Sequence, residues 1–128
     1  MYLNKRKTGS AYEALAADFL AGQGLVVTAH NYRCRFGEID LIAIDPRKMS
    51  DEDHARTCVF VEVKYRSTER SGQPWEAVGI RKRKTICRVA DHYRLTHGGL
   101  SGYNFRFDII SILGDQITWF ENAFPYTD

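Results

Sequence analysis

The sequence predicts one mixed α/β domain spanning residues 1–128, with its elements in the order α-β-β-β-α-β-β. Three observations predict it. Ser10 to Gly22 repeats apolar residues at the helical period. Several short apolar runs are bounded by Gly, Pro or polar clusters, as strands are. No repeat, low-complexity tract or linker divides the chain. Its 128 residues are enough to bury roughly two thirds of the unfolded surface, so folding needs no disulfide or structural metal.

In the first helix, Ser10 is placed as N-cap with Glu13 three residues on, the capping-box spacing. Leu15, Ala16, Phe19 and Leu20 form its apolar stripe, and Gly22-Gln23-Gly24 stops it. Leu25 to Arg33 and Glu38 to Asp45 read as a hairpin about the turn Arg35-Phe36-Gly37. The polar, Pro-started stretch from Pro46 to Thr57 is a surface loop, and Cys58 to Arg66 is the strongest strand of the chain. Ser67 to Gln73 is a loop before Pro74, which suits the first turn of a helix; the helix runs at least from about Ile80 to Leu95. After the loop His97 to Gly102, Phe105 to Leu113 and Gln116 to Phe120 form a second hairpin around Gly114-Asp115.

Composition narrows the function classes. Cys34, Cys58 and Cys87 are odd in number and lack a CxxC pair, which predicts reduced thiols in a cytoplasmic protein. The basic start Met1 to Lys7 has no apolar run behind it and predicts no signal peptide, and no stretch is apolar enough to span a membrane. The net charge of +2 is small, but its distribution is uneven. Residues 36–63 hold seven acids against three bases, and residues 64–94 hold nine bases against three acids. A cation site beside a polyanion-binding surface has that pattern, as do ordinary solvated faces.

The most informative residues are those that do not suit a sheet core. Alternation along Cys58 to Arg66 puts Phe60, Glu62, Lys64 and Arg66 on one face, with the Cα atoms of Glu62 and Lys64 about 6.6 Å apart. In the preceding strand Glu38, Asp40 and Ile42 are expected to share a face, with Ile39, Leu41 and Ala43 on the other. An acid set among so many apolar residues is expected to be partly buried, and a buried carboxylate needs a partner or a metal. Asp40 and Glu62 on neighbouring strands suit a hard divalent cation such as Mg²⁺ or Mn²⁺, which polarises a phosphoryl group and activates water. Lys64 is then placed to orient that water or to stabilise transition-state charge. The plainer alternative is a same-face ion pair on an exposed strand.

Gly37-Glu38-Ile39-Asp40-Leu41-Ile42 followed by Val59-Phe60-Val61-Glu62-Val63-Lys64-Tyr65-Arg66 resembles the restriction-endonuclease-like superfamily and its PD-(D/E)XK signature. More narrowly the chain resembles the YraN family of bacterial proteins, relatives of archaeal Holliday-junction resolvases. The likeness extends through Gly9-x-x-x-Glu13, Asn31-Tyr32-Arg33, Gly72-Gln73-Pro74, Glu76-Ala77-Val78, Lys82, Arg106-Phe107-Asp108 and Asn122-Ala123-Phe124. It implies a three-layer restriction-endonuclease-like α/β fold, with a mixed central sheet of about five strands flanked by helices, metal carboxylates at Asp40 and Glu62, a catalytic lysine at Lys64, and Glu13 near the same metal. Ile39 stands where the signature has proline, Tyr12 where a glycine often precedes the helix glutamate, and the loop Pro46 to Thr57 is longer than is typical.

Other residues weigh less. Arg81-Lys82-Arg83-Lys84 covers about 400° of helix and cannot all face one ligand, whereas Lys84 and Arg88 are one turn apart. Arg66, Lys82, Lys84 and Arg88 are the expected nucleic-acid contacts. Tyr65, Arg66 and Trp75 can stack on unpaired bases or belong to the core. The histidines and cysteines lack zinc spacing, and Arg106 with Asp108 reads as a structural ion pair.

The expected function is that of a Mg²⁺- or Mn²⁺-dependent endonuclease acting on DNA, branched or junction DNA included. The rivals are a non-catalytic nucleic-acid-binding module of the same fold and a scaffold whose acids make internal ion pairs. The expected partner is nucleic acid, foremost DNA, with no membrane. A homodimer stays open, and substrate structure is not readable from the sequence.

Overall fold

A computed structural model describes residues 5–47, 56–66 and 78–127. Its elements are α1 (Lys5–Gly22), β1 (Val26–Cys34), β2 (Gly37–Asp45), β3 (Thr57–Arg66), α2 (Ile80–Thr96), β4 (Asn104–Leu113) and β5 (Gln116–Phe124). The order is the expected one. Most of the loop from Pro46 to Thr57, and all of Ser67 to Ala77 including Trp75, lie outside the described residues.

The five strands pair in the order β1-β2-β3-β4-β5. All neighbours are antiparallel except β3 and β4, which run parallel from Thr57↔Asn104 to Arg66↔Leu113. Helix α2 makes the crossover between that parallel pair, as a parallel connection requires. Each face of the sheet has its own core. Ala16, Ala17 and Leu20 of α1 pack on Leu41, Ala43, Val59, Val61, Ile110 and Ile112. Ile86, Cys87, Val89, Ala90 and Tyr93 of α2 pack on Ile39, Ile42, Cys58, Phe60, Phe107 and Ile109. The alternation of β3 between these two cores is what makes the fold three-layered.

Three expectations are corrected. Helix α1 starts at Lys5, so Ser10 lies inside it and is not an N-cap. Basic residues are good helix formers and extend the helix backwards, which frees Glu13 from a capping role. Ile39 does not share a face with Leu41: Ile39 packs in the α2-side core and Leu41 in the α1-side core. The change of face falls opposite an irregular residue of the adjoining strand. The β1–β2 ladder passes from His30↔Leu41 to Tyr32↔Ile39 across Asn31, whose φ is 50°. The register stays in step there while the alternation of faces changes on both strands: Ala29 and Tyr32 of β1, like Ile42 and Ile39 of β2, pack in the same core. Finally, β5 continues past Phe120 to Phe124, because a register shift opposite Phe107–Ile109, with Asn122 at φ 52°, carries the pairing onward. Phe124 then stacks on Phe107 at 5.1 Å.

One end of the sheet is held by a buried charge network. Arg106 Nε donates to both oxygens of Asp108 at 3.0 and 3.2 Å, and Arg106 Nη1 donates to Asp45 at 2.8 Å. Trp119 Nε1 and the Asn122 amide also donate to Asp108, at 2.9 Å each. Burial raises the Asp45 carboxyl, but hydrogen bonds from Arg47 and Arg106 outweigh it and hold it at about 2. Asp108 is fully buried. Asp108→Asn is therefore expected to cost about 3–5 kcal/mol in urea denaturation, since it strips a buried guanidinium of a charged partner. A loss below about 1 kcal/mol would mean the network is readily rebuilt.

Candidate active site

The β2–β3 ladder ends at Leu41↔Val61. Beyond it the two strands part. In the gap the Asp40 carboxylate, not a backbone carbonyl, accepts the Val63 amide at 2.8 Å. That bond fixes Asp40 against the outgoing end of β3, where Glu62 and Lys64 share the α2 face. Glu62 is 6% exposed. Its Oε1 stands 3.5 Å from Lys64 Nζ and 3.7 Å from Lys82 Nζ, the latter reaching in from the first turn of α2. Two carboxylates and two ammonium groups thus converge at one fork in the sheet.

The electrostatics follow from burial. Desolvation, then the nearby Asp40 charge, pushes the Glu62 carboxyl up to about 7, although Lys82 and Lys64 pull it down. Asp40 is also raised, first by desolvation, against the Val63 hydrogen bond, the Lys82 charge and a side-chain hydrogen bond with Glu62. The two acids behave as a pair that holds a proton between them near neutral pH. A divalent cation can take that proton's place. The donor set fits a hard ion: carboxylate oxygens, no thiolate or imidazole, and a lysine that would stay outside the coordination shell.

Glu13 approaches from α1. Desolvation raises its carboxyl, a hydrogen bond from Asn31 lowers it, and the charges of Asp40 and Glu38 raise it. Glu13 is thus a neighbour of Asp40 and is held by Asn31. Among the described residues no three His, Cys, Asp or Glu side chains are drawn together closely enough to hold an ion. Glu13, Asp40 and Glu62 are thus two clustered acids with a third alongside. Arg66 ends β3, whereas Lys84 and Arg88 lie exposed on α2 outside the cluster.

The basic run on α2 is divided by helical geometry. Lys82 faces Glu62, Arg83 donates to the Val78 carbonyl at 2.7 Å, and Arg81 and Lys84 face outward. Two features escaped the sequence reading. Tyr12 and Tyr65, the chain neighbours of Glu13 and Lys64, stack at 3.8 Å. Asn31 anchors Glu13, and its left-handed backbone is the available clue, since Asn tolerates that conformation better than most residues. Burial pushes the Cys58 thiol up to about 12, so this cysteine is a core residue and no nucleophile.

Residues 12–112 match the model of "Uncharacterised protein family UPF0102". The chain belongs to the UPF0102 family. The matched span holds Glu13, Asp40, Glu62, Lys64 and Lys82. The UPF0102 protein of Lachnoclostridium phytofermentans is 38% identical over 122 residues, covering 95% of this chain and 96% of the relative. That of Vibrio cholerae is 38% identical over 126 residues, covering 96% of each. That of Nitrosomonas europaea is 42% identical over 119 residues, covering 91% and 92%. The likeness to other UPF0102 proteins therefore runs nearly end to end. No described helix is long and apolar enough to cross a membrane.

Proposed function

We propose that the protein is a divalent-metal-dependent nuclease of the restriction-endonuclease-like PD-(D/E)XK type, related to the Holliday-junction resolvases. On this reading it hydrolyses phosphodiester bonds in DNA, branched or junction DNA among the substrates, and works in the cytoplasm with its three cysteines reduced. The observation that carries the reading is the convergence of Asp40, Glu62, Lys64 and Lys82 at the β2–β3 fork. A chain with no use for this site would have little reason to set a buried acid against a half-buried one at a cost in stability.

Asp40 and Glu62 would hold the cation, with Glu13 next to Asp40 as a further carboxylate. Bound there, Mg²⁺ or Mn²⁺ supplies charge neutralisation at the phosphoryl oxygens and a water of lowered pKa. The protein's own groups do the rest. The Val63 amide fixes the Asp40 carboxylate. Lys64 orients the attacking water and offsets charge as it develops, and Lys82 balances the Glu62 carboxylate once it is ionised.

The test is a cleavage assay on junction, flap, single-stranded and duplex DNA with Mg²⁺ or Mn²⁺. Cleavage of at least one substrate by wild type, abolished in Asp40→Asn, is expected. Binding without cleavage on the whole panel would favour a nucleic-acid-binding module, and neither binding nor cleavage would favour a scaffold.

A further inference from the structure

The β1–β2 hairpin tip carries a charge arrangement that the carboxylate site does not use. The Arg35 guanidinium lies 4.8 Å from the centre of the Phe36 ring, and that of Arg88 from α2 lies 4.4 Å from the same centre. Two like charges are thus gathered on one aromatic ring, with their carbon atoms no more than about 9 Å apart. Nearby acids are already engaged. Glu38 is paired with Arg33 at 3.2 Å, and Asp91 takes Arg94 at 3.9 Å and the Tyr126 hydroxyl at 2.7 Å. Among the described residues neither Arg35 nor Arg88 makes an ion pair.

The arrangement is built into the fold. Gly37 follows Phe36 with φ 149°, and a Cβ there would stand 2.7 Å from Thr85 Cγ2 and 3.5 Å from Val89 Cγ2. Only glycine lets the tip close so tightly on α2, and that closeness brings Phe36 under Arg88. The exposed residues Arg81, Lys84 and Arg88 recur at i, i+3 and i+7, so they form one stripe along the helix that also delivers Lys82 to Glu62. Phe36 is four residues before Asp40, roughly 13 Å along the strand. That is about four nucleotides of a B-form strand at its rise of ~3.4 Å.

We propose that Arg35, Phe36 and Arg88 form a phosphate-binding subsite that grips the backbone of a DNA duplex arm leading away from the carboxylate site. The ring holds both guanidinium groups in place, and backbone phosphates supply the anions that no described residue provides. The inference rests on the nuclease reading for its ligand but not for its test.

That test is binding without metal, so cleavage plays no part. Wild type and variants are titrated into a fluorescent duplex of roughly 20 base pairs by anisotropy, across a range of salt. Arg35→Ala/Arg88→Ala is expected to weaken binding at least tenfold at low salt, and to reduce the slope of log affinity against log salt by about two. Arg35→Lys/Arg88→Lys is expected to keep most of the slope. Phe36→Leu is expected to weaken binding with the slope little changed, because the charges remain but lose their platform. Thermal melts confirm that each variant is folded. A double alanine variant with wild-type slope and affinity would overturn the subsite, as would a wild type with no salt-dependent duplex binding. Binding by wild type with the expected losses, alongside a cleavage assay that fails, would reject the nuclease reading and leave the subsite standing.

Discussion

Lys64→Met is expected to fold, to bind divalent metal and DNA as wild type does, and to lose cleavage by about a hundredfold or more. Lys64 follows Glu62 by two residues on the same face of β3, and its Nζ is 3.5 Å from Glu62 Oε1. An ammonium group cannot ligate a cation, so its work falls on the water and on charge that develops during reaction. An interaction of that kind costs rate when removed and little in ground-state binding. Methionine keeps the apolar stem and deletes the charge. Pairing a cleavage assay with a DNA titration on the same preparation separates the cases. Unchanged cleavage would remove Lys64 from the mechanism. Lost folding would make it a structural partner of Glu62.

Glu62→Gln is expected to make the metal-free protein more stable at pH 8. The Glu62 carboxyl titrates at about 7 in the fold against an ordinary value of 4.5, chiefly because it is desolvated and then because Asp40 is close. The folded state therefore binds this proton more tightly than the unfolded chain does. Between about pH 4.5 and 7 the unfolded state binds fewer protons, and stability falls as pH rises through that window. Above it the penalty levels off at somewhat over ~3 kcal/mol, at 1.36 kcal/mol per pKa unit. A neutral carboxamide avoids that penalty, so the variant should melt roughly 8 °C above wild type at pH 8 and close to it at pH 4.5. Saturating Mn²⁺ should then stabilise wild type and leave Glu62→Gln almost unmoved. A variant less stable than wild type at pH 8 would mean that the ion pairs with Lys64 and Lys82 outweigh desolvation. Glu62 would then be a structural residue.

The strands were legible in the sequence, β3 above all because it is regular, whereas the layered plan was legible by resemblance. The two-residue period of β3 sends Val59 and Val61 to one core and Phe60 to the other, and the same period puts Glu62 with Lys64. Where the chain departs from regularity the reading failed. The face of Ile39 changes opposite the left-handed Asn31 of another strand, and the length of β5 depends on a register shift opposite β4. Both are settled by pairing partners, which local periodicity does not contain. Lys82 was legible as a basic residue of a helix. Its place 3.7 Å from Glu62 was not, because it depends on how α2 crosses the sheet. Glu13 was legible only by resemblance, since nothing in its local spacing separates a capping residue from one that faces Asp40.

The most direct test of the central claim is a crystal soaked in Mn²⁺ and examined by anomalous diffraction. A peak is expected at the β2–β3 fork, within about 2.5 Å of oxygens from both Asp40 and Glu62, with the Lys64 ammonium outside the coordination shell. It should vanish in Asp40→Ala/Glu62→Ala crystals soaked in the same way. Well-ordered Asp40 and Glu62 side chains with no peak between them, at a Mn²⁺ concentration that populates other carboxylates of the crystal, would contradict a metal site at the fork.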